Sequence, residues 1–376
     1  MPEQHVKGND SPVGRSSLLV YAGTYSADQP NSIFLYSLNM SSGELTLLKK
    51  FNGGENPSYF AFDAQHRFLY AVNELDNYQG CESGAVCAFA VDQKTGFLSM
   101  LNRTSSQGAL PVYIALSPNR KSALVANYDG GSISVFPILE DGKLDKATKI
   151  IQHRGNGSNK ERQASSHPHC ITVSPDGRFI FVVDLGSDCV FSYEMNPEEN
   201  EISSDSSTVA FRSTPGTGPR QLRFHPDGHF AYLIHELESI ITALAYHRAS
   251  GTFTEIQVVA TLPEGYRQKN KCGGIRITSD GRFLYASNRG HNSLAGYVID
   301  ESTGKLIYLG NTLSGGEWPR EFTIVEGSSM LLVANQHSGT IDSFKIDKAS
   351  GKLTHLGYQV KIEKPAYLQA LQPFKQ

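Results

Sequence analysis

His169, Arg220, Glu236 and Arg289 are the side chains that acid–base chemistry on an anionic substrate would need. A histidine and a carboxylate can act as general base and general acid, each worth about 10²–10⁴-fold in rate. A guanidinium matches a carboxylate or phosphate in a bidentate fork. Beside a developing oxyanion it contributes on the order of 3 kcal/mol. Arg220 and Glu236 are sixteen residues apart, with Gly228 of a His-Pro-Asp-Gly turn midway between them. In an antiparallel hairpin that spacing makes them cross-strand neighbours, with Cβ atoms about 5 Å apart. The same spacing suits a buried structural ion pair with His169 as a satisfied polar residue, and spacing alone leaves both readings open.

An internal repeat must position these residues. The segments VSPDGRFIFVVDLGSDCVFSY from Val173, FHPDGHFAYLIHELESIITALAY from Phe224 and ITSDGRFLYASNRGHNSLAGYVID from Ile277 stack on one another. Further copies start at Phe62, Leu116 and Val325. Each follows a short run led by a proline (Pro57, Pro111, Pro168, Pro219, Pro319), or in one copy by the Gly-Gly around Gly273. Each unit reads as four short strands, A to D, with a tight turn after A and a second one, such as Thr303-Gly304 or Ser350-Gly351, after C. The units recur every roughly 46 to 57 residues, the period of a propeller blade. Six complete units follow Pro57; the N-terminal run supplies strands B, C and D of a seventh, and the run from Pro365 supplies its strand A. Closing a ring with both termini removes exposed sheet edges. The expected fold is all-β: one seven-bladed β-propeller of four-stranded antiparallel blades over residues 18–376, preceded by a disordered tail over 1–17.

Strand order then separates two faces. The A→B and C→D turns share one face and are short. The D→A and B→C connections share the other, and the long loops Glu74–Gly84, Gln152–His167 and Pro263–Cys272 all belong to it. Long loops on the rim of a rigid scaffold are where function concentrates. The column that ends strand B (Thr24, Asn73, Asn127, Asp184, His235, Asn288, Asn335) reads as structural, capping the B→C turn. The next column (Tyr25, Glu74, Tyr128, Leu185, Glu236, Arg289, Gln336) varies strongly. So does the column after the A-strand proline (Ser58, Val112, His169, Arg220, Gly274, Arg320, Ala366). Both belong at the loop-side mouth of the central channel, where His169, Arg220, Glu236 and Arg289 converge from three adjacent blades. Arg320, Glu74 and Tyr128 are candidate substrate-binding residues there.

Composition narrows the partners. The formal charge of 34 − 37 = −3 lacks the basic field of a nucleic-acid binder. No apolar run approaches the twenty or so residues of a membrane helix. The first residues hold no hydrophobic leader core, so a cytoplasmic protein is expected. Five cysteines without a Cys-x-x-Cys pair read as free thiols in a reducing compartment. Neither a Gly-x-Ser-x-Gly elbow, a Walker A motif nor a His-Glu-x-x-His motif occurs. His167 and His169 at strand spacing offer two metal ligands, which falls short of a site, and no metal or other cofactor is expected. The sequence leaves the oligomeric state open between a monomer and a weak dimer.

Four stretches in fixed order, SSHPHCITVSPDGRFIFVVDLGSD, GPRQLRFHPDGHFAYLIHEL, DGRFLYASNRGHNS and GGEWPREFTI, give the chain a family resemblance. From Leu18 to about Phe374 it resembles the seven-bladed-propeller lactonases: the bacterial-type 6-phosphogluconolactonases and the fungal carboxy-muconate cyclase. In that family a histidine, an arginine, a glutamate and a second arginine form the cleft, and the matching positions are His169, Arg220, Glu236 and Arg289. Arg320 lies in a family-like Trp-Pro-Arg motif and is a further anion-binding candidate. The resemblance implies hydrolysis of a small anionic lactone without metal or nucleotide cofactor. The expected reaction converts 6-phospho-D-glucono-1,5-lactone to 6-phosphogluconate, a step of the pentose phosphate pathway. Glu236 or His169 would activate water and protonate the leaving hydroxyl. Arg220 or Arg289 would stabilise the oxyanion, and the other arginines would hold the phosphate. The alternatives are a lactonizing cycloisomerase of a carboxylated diene acid, a non-catalytic propeller that binds a protein or peptide, and a metal-dependent lactonase.

Overall fold

Each repeat folds as one antiparallel four-stranded sheet, and the described residues form seven such sheets, with a small two-stranded ribbon (Asn77–Tyr78 and Cys81–Glu82) in one loop. The computed structural model describes residues 17–26, 31–196, 202 and 207–371, and no helix occurs among them. Of the expected N-terminal tail, only Ser17, where the first strand begins, is among the described residues.

Blades 1 to 6 have innermost strands Tyr59–Phe62, Pro111–Leu116, Pro168–Val173, Pro219–Phe224, Lys271–Ile277 and Pro319–Val325. Blade 7 closes the ring as expected. Its innermost strand, Pro365–Leu371, pairs with Ser17–Thr24, which continues outward to Ile33–Asn39 and Leu45–Phe51. The second strand of each blade is covered on both faces by its neighbours, so it reads as a continuous apolar run. Phe179–Asp184 is buried at every residue. Outermost strands such as Leu353–Lys361 are largely exposed. Neighbouring blades are also tied by tyrosines: Tyr21, Tyr232 and Tyr285 donate their hydroxyls to the carbonyls of Gly96, Gly304 and Gly351 in the next blade's C→D turn. Those glycines sit at φ 70–74°, where a Cβ would be strained.

Two repeated backbone devices aim side chains into the loop-side mouth. The first is a β-bulge at the start of the innermost strand. The ladder pairs Pro168 with Asp184, then Cys170 with Val183; likewise Pro219 pairs with His235, then Gln221 with Ile234; and Pro319 pairs with Asn335, then Glu321 with Ala334. His169, Arg220 and Arg320 are the extra, unpaired residues, and a bulge re-aims its extra side chain. This corrects the expected cross-strand pairing of Arg220 with Glu236: the strand register passes both residues by. It also corrects one column position. Cys272 pairs with Asn288 as Pro219 pairs with His235, so Gly273 rather than Gly274 occupies the bulge column of blade 5.

The second device pins the neighbouring column. The amides of Tyr25, Glu74, Tyr128, Leu185, Glu236 and Gln336 donate to the carbonyls of Lys364, Asn56, Leu110, His167, Gly218 and Trp318, the residues just before the A-strand prolines. Most of these acceptor residues are held at positive φ, for example Asn56 at 47° and Trp318 at 61°, a strained conformation that clusters at functional sites. The asparagine column is structural, but by a different bond than expected. The Nδ2 groups of Asn73, Asn127, Asn288 and Asn335 donate to the carbonyls of Gly53, Ser106, Thr261 and Ser314. They tie strand B to the incoming D→A connection; Asp184 does cap its B→C turn, accepting from Gly186 and Ser187.

Candidate active site

Glu236 follows the strand Phe230–His235 and carries its carboxylate into a ring of guanidiniums. Oε2 accepts from Arg220 Nε at 3.2 Å and pairs with Arg289 Nη2 at 2.8 Å, while Oε1 accepts from Arg162 Nη2 at 2.8 Å. Backbone carbonyls fix two of these arginines: Arg220 Nη1 donates to Gly273 at 2.7 Å and Arg289 Nη2 to Cys272. Arg289 also lies 5.6 Å from the Trp318 ring centroid. Three cations against one carboxylate leave a local excess of two positive charges.

Burial and that excess together set the protonation states. Burial alone would raise the Glu236 pKa, but Arg289, Arg220 and Arg162 outweigh it and hold the carboxyl well below its usual range. Burial, and then the neighbouring Arg289, push Arg220 down to about 10, so it stays charged at neutral pH. His169 is buried with its Nδ1 free of any hydrogen-bond partner among the described residues, and its ring meets Tyr128 edge-on at 5.7 Å. Burial, then Arg220, Arg320 and Arg289, outweigh Glu236 and hold its pKa well below the ordinary histidine value. It is therefore a neutral imidazole at physiological pH, able to accept a proton.

The other candidates join the same mouth. Arg320 Nη2 lies 3.6 Å from Glu74 Oε2, and its guanidinium covers the Tyr25 ring at 4.7 Å. Tyr25 donates its hydroxyl to Glu74 Oε2 at 2.5 Å. Burial foremost raises the Tyr25 pKa, which keeps that hydroxyl a donor. The Tyr128 hydroxyl accepts from Arg162 Nη2 at 3.0 Å. His167 stacks on the Tyr128 ring with its Nδ1 against the Tyr128 carbonyl, so the two histidines of the His-Pro-His run are employed separately.

Arg162 has no place in the repeat and was not predicted. It lies in the long connection between blades 2 and 3. Asn159 Oδ1 accepts from the amides of Glu161 and Arg162, and Gln163 Nε2 donates to the Leu185 carbonyl, which together orient the guanidinium toward blade 4. The available signal was the loop itself. Deeper in the channel, Arg223 reaches Tyr113 at 2.9 Å and Tyr59 at 3.3 Å, and Gln221 bonds Glu321 at 2.9 Å. These bridges cross the channel between blades 4 and 2, 4 and 1, and 4 and 6.

Residues 19–370 match the family model described as lactonase, 7-bladed beta-propeller. The chain is 31% identical over 319 residues to the 6-phosphogluconolactonase of Bacillus subtilis, covering 85% of this chain and 88% of the relative. It is 32% identical to the 6-phosphogluconolactonase of Formosa agariphila, covering 85% and 90%. The structure of the Pseudomonas aeruginosa periplasmic gluconolactonase superposes with a TM-score of 0.87 at 31% identity, covering 95% of this chain and all of that one.

Proposed function

Because this chain belongs to the seven-bladed β-propeller lactonase family, we propose that the cyclic ester it opens is phosphorylated: 6-phospho-D-glucono-1,5-lactone, converted to 6-phosphogluconate. The observation that carries this reading is the cationic excess around a neutral, buried histidine. Among the described residues Arg162, Arg220 and Arg289 all pair with the single carboxylate of Glu236, a field suited to an anion that is still negative after the ester opens.

In this mechanism His169 accepts a proton from water as the water oxygen attacks the lactone carbonyl. Arg220 and Arg289 stabilise the tetrahedral oxyanion, whose full charge exists only after attack. Collapse of the intermediate breaks the bond to the ring oxygen, and the histidine returns its proton there. Glu236, with both oxygens engaged by guanidiniums, is a poor base. Its part is to hold three arginines together and keep them aimed. Glu74 orients Arg320, Tyr128 orients Arg162, and Arg320 extends the anion-binding surface. The phosphorylated substrate and four buried free thiols (Cys87, Cys170, Cys189, Cys272) support a cytoplasmic role in the pentose phosphate pathway.

The test generates the lactone with glucose 6-phosphate dehydrogenase and follows its disappearance with wild-type protein and with Arg220→Ala, each with and without EDTA. EDTA-insensitive acceleration by the wild type that is lost in the variant is expected. Loss no faster than spontaneous opening would sink the reading.

A further inference from the structure

Lys271 is the first residue of the blade 5 innermost strand and pairs across the ladder with Arg289. It is half-buried, and among the described residues its ammonium makes no ion pair or hydrogen bond of contact distance. Its electrostatic neighbours are Arg162, Glu236 and Arg289, so the amine shares the rim of the mouth with the arginine cluster. Burial, and then Arg162 and Arg289, outweigh Glu236 and hold its pKa below the ordinary lysine value. Arg162 has a matching free donor: Nη2 is shared between Glu236 and Tyr128, whereas Nη1 is buried with no partner among the described residues. A buried donor left unpaired is unfavourable, and a ligand oxygen would relieve it.

We propose that Lys271 and Arg162 form a phosphate clamp at the rim, which recognises the phosphate monoester of the substrate apart from its lactone ring. Arg162 comes from the long connection between blades 2 and 3, and Lys271 from the first position of the blade 5 innermost strand, so the clamp joins one residue outside the repeat to one at its edge. Arg162 keeps Nη2 on Glu236 and offers Nη1 to the phosphate, while Lys271 supplies a second, unpaired positive charge. The clamp rests on the lactonase reading above and adds the group that distinguishes a phosphorylated lactone from a neutral one.

The test compares wild type, Lys271→Met and Lys271→Arg on 6-phosphogluconolactone and on unphosphorylated gluconolactone, with KM and kcat read separately. Thermal stabilisation by inorganic phosphate is measured alongside, without any turnover. Lys271→Met is expected to raise KM for the phosphorylated lactone about tenfold more than for the neutral one and to weaken the phosphate-induced stabilisation by a similar factor. Lys271→Arg should recover most of both. Equal KM changes on the two lactones, or a phosphate response in Lys271→Met equal to wild type, would overturn the clamp. If the wild type turns over neither lactone, the lactone reading fails, and the phosphate response still decides the clamp.

Discussion

Arg220 and Glu236 meet at 3.2 Å although the ladder of their own hairpin pairs neither with the other. Arg220 is the unpaired residue of the bulge, and Glu236 follows the last paired residue, pinned by its amide to the Gly218 carbonyl. Both side chains thereby leave the plane of the sheet and turn into the mouth, where Arg289 and Arg162 complete the ring around the same carboxylate.

Replacing Glu236 by glutamine should cost stability. Removing one member of a buried ion pair leaves the others uncompensated, at about 3–5 kcal/mol. The effect should depend on pH with a defined sign. The folded-state pKa of Glu236 lies below its ordinary 4.5, so its contribution is fully present above that value and is lost as pH falls through the folded pKa. Urea denaturation of wild type and Glu236→Gln should show a gap that is constant near neutrality and narrows on acidification below 4.5. A gap that did not change with pH would show that the carboxylate charge is not what stabilises the ring.

His169→Ala should lower kcat by about 10²–10⁴-fold with the fold intact. The residue sits in a bulge and makes no side-chain hydrogen bond at Nδ1, so its loss removes little from the blade. A near-normal rate, with an unchanged melting temperature, would remove it from the mechanism.

The pH profile should separate free and bound enzyme. In the free enzyme burial and three arginines depress the His169 pKa, so kcat/KM should hold until well below pH 6.5 and fall only where the imidazole protonates. A bound anion neutralises part of that arginine field, which raises the histidine pKa in the complex. The acid limb of kcat should therefore lie at higher pH than that of kcat/KM. The reverse order would contradict a histidine base beneath an anion-filled arginine cluster.

The seven-fold repeat made the fold and the four central residues legible, because columns that vary inside a constant frame mark positions freed from packing. His169, Arg220, Glu236 and Arg289 stand in such columns and do converge. The register of Arg220 was not legible: a bulge inserts a residue without a composition signal, and a two-residue period carried past it gives the wrong partner. Arg162 and Lys271 were hidden for another reason. Arg162 sits in a connection unique to one blade gap, so no column exposes it and only the folded path of the loop brings it to Glu236; Lys271 precedes Cys272, which replaces the repeat's proline, and the ladder sets it beside Arg289.

The asparagine column should behave as structure and not as chemistry. Asn335 Nδ2 donates to the Ser314 carbonyl and to Asp342 Oδ2, both at 2.9 Å, and all three residues are buried. Asn335→Ala deprives a buried carbonyl and a buried carboxylate of a donor together. Each unsatisfied group costs about 1–3 kcal/mol, and a charged acceptor lies toward the upper end. Asp342 retains Thr340, His355 and Gln359 as partners, which limits the loss at the carboxylate. A destabilisation of about 2–4 kcal/mol is expected by denaturant titration, with the catalytic pH profile of the remaining folded protein keeping its wild-type shape. A shifted profile would instead mean that the connection Asn335 holds, which leads toward Arg320, feeds directly into the site.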